Sequence, residues 1–166
     1  MARTTQPSIA HGAIALAGLA GALAEVVWVA IFCSLTQLKG SVVLRQITAS
    51  FFPASPDAVW APALGLAIHL ALGLAVAYAF ALVVWYPATR RRGKHTTTVA
   101  AVLALAAVWC VNFLFVLPVV NSSFVELMPA GMTFASKLLF GMAMAATLNS
   151  ATASAIRRTS RGYAAA

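Results

Sequence analysis

Acidic residues are nearly missing from this chain. Glu25, Asp57 and Glu126 are the three among 166 residues, and charged side chains of both signs make up 8%. Soluble domains carry about 25%. With 62% of its residues hydrophobic, the chain has too little polar surface to cover a water-soluble body of this length, so lipid is its expected solvent. Three scattered acids also leave no paired carboxylates for hydrolytic chemistry.

Cysteine and histidine are equally sparse. Cys33 and Cys110 lie inside apolar runs, with no CxxC and no Cys/His cluster, so neither a disulfide nor a redox role is expected. His11, His69 and His95 fall at different levels, which gives no matched pair for haem. Zinc or copper needs denser clustering of ligands. Met128, Met132, Met142 and Met144 read as apolar packing. No Ser-His-Asp arrangement or phosphate loop is present. Neither cofactor nor metal is expected, nor enzymatic activity within this chain alone.

What is abundant is long apolar sequence. A bilayer-spanning helix needs about 20 apolar residues. Such runs cover 11–35, 61–86, 99–120 and 131–154, flanked by a tail at 1–10 and a basic tail at 155–166. In lipid the backbone must satisfy itself, so each run is expected to be a helix. The expected fold is an all-α membrane protein: four transmembrane helices in a compact bundle.

The basic residues orient that bundle. Arg3, Arg90, Arg91, Arg92, Lys94, Arg157, Arg158 and Arg161 lie in the tails and the central connection, against only Lys39 and Arg45 in the other two. Eight against two predicts both termini in the cytoplasm. The net charge of +8 thus sits in tails and a loop rather than on a folded face. It points to anionic lipid headgroups, not nucleic acid. Trp60, Trp85 and Tyr86 suit interfacial belts.

The connections carry signals of their own. Val43, Ile47 and Phe51 recur every fourth residue, which predicts a short helix lying on the outer surface between the first two spans and closed by Pro53. Ser123-Phe-Val-Glu126 is a capping-box pattern that predicts a helical turn ending near Pro129. Asn121-Ser-Ser matches a glycosylation sequon but lies too near the membrane to be used. Ala22-Leu-Ala24 before Glu25 resembles a signal-peptidase site, yet apolar sequence continues unbroken to Leu35, which favours a retained anchor. The segments 3–7 and 159–166 are expected to be disordered.

Each span holds one conspicuous polar residue: Glu25, His69, Asn112 and Lys137. Counting along the helices places all four roughly 9–12 Å below the outer surface. Small residues at helical spacing mark the faces they share: Gly18 and Gly21 with Glu25, Gly65 and Gly73 with His69, Gly141 with Lys137. These groups are therefore expected on packing faces. Two uses compete. One is a staple in which Glu25 and Lys137 form an ion pair with His69 and Asn112 as hydrogen-bond partners. The other is a site for a proton, an ion or a small polar ligand. A repeat is also visible: Ala67–Ala77 aligns without gaps to Ala135–Ala145, with five of eleven positions identical and His69 on Lys137.

At Gly65-x3-His69-x3-Gly73, and at Trp109-Cys-Val-Asn112-Phe followed by Leu117-Pro118, the chain resembles a diffuse group of functionally uncharacterised small four-helix bacterial inner-membrane proteins. The resemblance implies four spans and a bacterial inner membrane. It implies nothing about mechanism, and Glu25 and Lys137 are outside it. The leading expectation is a non-enzymatic membrane protein, an accessory or scaffold subunit, forming a homo-oligomer or joining a larger membrane complex. The alternative is a small channel, carrier or ion-responsive protein that uses the polar residues.

Overall fold

The computed structural model describes residues 11–55, 57–85 and 94–164. Arg3, the arginines at 90–92 and Tyr86 lie outside the described residues. Among those described, helix is the only regular structure.

The first apolar run forms α1 (His11–Thr36). It passes without a break through Ala22–Glu25, and Gln37, at φ 61°, ends it in the left-handed conformation typical of a residue just past a helix. Then comes α2 (Gly40–Ala49), shorter than expected and finished four residues before Pro53. The second run forms α3 (Ala61–Trp85), with Pro62 in its first turn, where a missing N–H costs nothing. Its last turn, Ala81–Trp85, is π-helical.

The third run forms α4 (His95–Val120). Its helix begins four or five residues earlier than expected, because the three threonines at 96–98 are polar without breaking a helix. A π-turn at Asn112–Val116 interrupts it. Pro118 supplies a reason: its ring would clash with the carbonyl four residues back, and a widened turn moves that carbonyl aside.

A short helix, α5 (Ser122–Leu127), precedes α6 (Ala130–Ala164). The capping box expected at Ser123 is not the cap. Asn121 takes that place, its Oδ1 accepting from Phe124 N–H at 3.0 Å, while Glu126 stays exposed. Nor does α6 stop at 154: the basic segment continues the helix to Ala164, since nothing before Gly162 opposes helix formation.

Four of these helices (α1, α3, α4 and residues Ala130–Ala155 of α6) are long and apolar enough to cross a bilayer. Only 17% to 39% of their most apolar windows is buried. The apolar remainder is far larger than any patch a water-soluble monomer exposes. The chain therefore reads as a multi-pass membrane protein.

In the bundle α1 packs between α3 and α6, and α6 packs in turn against α4. Glycines make the crossings close. A Cβ on Gly18 would stand 2.8 Å from the Gly73 carbonyl oxygen, and one on Gly21 would strike the Phe140 ring. Gly141 lies against the Ala101 backbone. Gly65 lies against the Leu44 carbonyl, which lets α2 dock directly on α3, where the Thr48 hydroxyl donates to the Ala61 carbonyl at 2.5 Å. The circuit stays open on one side: α3 and α4 meet closely only at the last turn of α3. Trp85 is buried in that turn, packed with Phe80, Leu105 and Leu148 in the main apolar core. Trp60 is exposed.

Candidate functional site

Glu25 is 3% exposed, on the face of α1 that meets α3 and α6. A bare carboxylate there would be costly, and it is not bare. Lys137 of α6 brings Nζ to 2.8 Å from both Oε1 and Oε2. Ser136, one residue earlier, lies with Oγ 3.0 Å from Oε1 and 2.8 Å from the Thr133 carbonyl, its proton shared between them. From α3, His69 Nε2 stands 3.7 Å from Oε2 and donates to the Ala22 carbonyl at 3.2 Å. That bond puts a proton on Nε2, because a carbonyl can only accept.

Three of the four expected polar residues thus meet. Asn112 does not join them. It lines the same cavity from α4, and its side chain makes no hydrogen bond to another described residue. The partner expected from Asn112 is supplied by Ser136. The sequence carried a trace of this: Ser136 adjoins Lys137 and lies three residues from Thr133, on the same helical face.

The cavity measures about 490 Å³ and sits where α3 and α4 diverge. Glu25, His69, Ser136 and Lys137 give it polar walls, and Val29, Phe113 and Leu117 are among the apolar ones. Leu72 of α3 and Val116 of α4 line it while remaining 46% and 44% exposed, so it opens sideways between those helices. At one end α2 and α5 close over it. Val43 and Ile47 of α2 turn toward it, with Phe51 just past the end of that helix, as do Phe124 and Met128. Asn121 fastens this cover, donating to the Gln46 carbonyl at 2.8 Å and to Ser50 Oγ at 3.0 Å. At the other end lies the packed core of Phe80, Leu105, Phe140 and Met144. A smaller space of about 200 Å³ between α1, α2 and α3 shares Glu25 and His69 as walls.

One wall is stiffened by indole. Trp109 donates to Thr133 Oγ1 at 3.0 Å, stacks on Phe113 (centroids 5.4 Å apart, planes at 11°) and meets Phe134 edge-on. No group of three or more His, Cys, Asp or Glu side chains able to hold a metal occurs among the described residues. Comparison with protein-family models, with curated proteins and with solved structures finds no match.

Proposed function

We propose that this chain is a non-enzymatic membrane protein that takes a small amphipathic molecule from the bilayer into the cavity between α3 and α4. One observation carries the reading: a space of about 490 Å³ combines apolar walls, a polar cluster and a side opening between two spans. Pockets of roughly 300–1,000 Å³, mostly apolar with a few placed polar groups, are what small-molecule sites look like. A scaffold or accessory subunit explains the ion pair but not the cavity; ligand binding explains both. A channel is disfavoured because the cavity ends on packed side chains.

The distribution of Lys and Arg supports both termini in the cytoplasm of a bacterial inner membrane, with anionic headgroups near the basic ends. In that orientation the cavity opens into the outer leaflet, and α2 and α5 lie at its surface. Oligomerisation or a larger complex is compatible with the apolar surface left on α4, 17% of whose most apolar window is buried.

The experiment is native mass spectrometry of the chain purified in mild detergent, beside Val116→Trp, which fills the opening. A lipophilic adduct on the parent that is lost from the variant is the expected result. The same adducts on both proteins would overturn the proposal.

A further inference from the structure

The walls of the cavity say what kind of head group fits, given that the cavity is a binding site at all. Most of its polar groups are already engaged. Both carboxylate oxygens of Glu25 are bound by Lys137, and Ser136 adds a bond to one of them. His69 Nε2–H is directed to the Ala22 carbonyl, and the Trp109 N–H to Thr133. Two donors remain. Lys137 has three N–H bonds, and its hydrogen bond and ion-pair contact both go to the one carboxylate; its side chain is 24% exposed and lines the cavity. The Asn112 amide lines the same cavity from α4, the helix packed beside α6, and is not hydrogen-bonded to any other described side chain or backbone group.

Charge narrows the choice further. Glu25 and Lys137 cancel, so the polar wall has no net charge to neutralise an ion. An anionic head would share Lys137 with a carboxylate already 2.8 Å away; a cationic head would meet the ammonium. A neutral acceptor meets neither penalty. The π-turn before Pro118 starts at Asn112 and places that residue, Phe113 and Val116 in the wall.

We infer that the cavity takes an uncharged amphiphile whose head bears a carbonyl oxygen, which accepts hydrogen bonds from Lys137 Nζ and the Asn112 amide while its hydrocarbon lies among Val29, Ile47, Leu72 and Phe113. Asn112 is then a specificity residue, which explains why an amide occupies a lipid-level position without an internal partner.

The test uses the full chain in maltoside micelles and four probes of similar length: methyl decyl ketone, undecanoate, decyltrimethylammonium and decane. Retention is read by native mass spectrometry. The expected result is a ketone complex retained about tenfold better than either ion, and a drop of about tenfold for the ketone alone in Asn112→Leu, the worth of one hydrogen bond. Asn112→Gln, which keeps the amide, should retain most of the preference and guards against a folding artefact. If every probe is lost from Val116→Trp but the ketone is not preferred, or Asn112→Leu leaves the preference intact, this inference fails and the binding site stands. If no probe depends on Val116, the proposed function fails with it.

Discussion

Lys137 Nζ lies 2.8 Å from each carboxylate oxygen of Glu25, a residue 112 positions earlier in the chain. The two partners are not equivalent. Glu25 is 3% exposed, whereas the lysine side chain is 24% exposed and borders the cavity. Removing the ammonium strands a buried carboxylate; removing the carboxylate leaves an ammonium that can reach more polar surroundings. Lys137→Met is therefore expected to destabilise by about 3–5 kcal/mol, with Glu25→Gln costing less. The double change, Glu25→Leu with Lys137→Met, should recover much of the loss. SDS-titrated unfolding measures all of them. A double variant as unstable as Lys137→Met would remove the ion pair from the account.

The glycines of α1 and α3 make a sharper packing prediction. At Gly18 an added methyl meets the Gly73 carbonyl and the Ala77 methyl, both under 3 Å. At Gly131 it meets nothing within 4 Å. Gly18→Ala should cost about 1–3 kcal/mol by overpacking. Gly131→Ala should lie within about 1 kcal/mol of the parent, with helix propensity on its side. Equal effects in the same unfolding assay would mean that α1 and α3 do not cross at Gly18 and Gly73.

Asn121 joins two short helices that cover the cavity. Its amide N–H groups reach α2 and its oxygen caps α5. Asn121→Ala removes a cap usually worth about 1 kcal/mol, together with the tie to α2. Hydrogen exchange should accelerate over residues 40–49 and 122–127 and stay unchanged in α1. Unchanged exchange in the cover, or faster exchange everywhere, contradicts its role as a local fastening.

The packed core beneath the cavity predicts no through-path. Vesicles containing the purified chain should show proton and small-cation flux at the level of empty vesicles, because Phe80, Leu105, Phe140 and Met144 pack together beneath the cavity. Flux above this background that His69→Leu abolishes would revive the transport alternative and count against a dead-end cavity.

Much of this architecture was legible from residue types. A chain with three acids and four long apolar runs has few options besides a helical bundle in lipid. A lone carboxylate and a lone ammonium on separate spans need each other in a medium that solvates neither, which singled out Glu25 and Lys137. Even the repeat finds a physical echo: His69 and Lys137, aligned in sequence, approach the same carboxylate from opposite flanks of α1, at 3.7 and 2.8 Å.

Other features depend on where helices diverge, and no local pattern specifies that. Ser136 rather than Asn112 completes the shell around Glu25 because rotation of α6 about its axis, set by packing on α1 and α4, turns Ser136 inward. Asn121 rather than Ser123 caps α5 because it also reaches α2, a contact 75 positions away in the chain. The cavity exists because, among the described residues, α3 and α4 come close mainly at the last turn of α3, and the π-turn before Pro118 faces the gap. Apolar periodicity decides which faces seek lipid or one another; the spaces left between them follow only from the summed packing of all the helices.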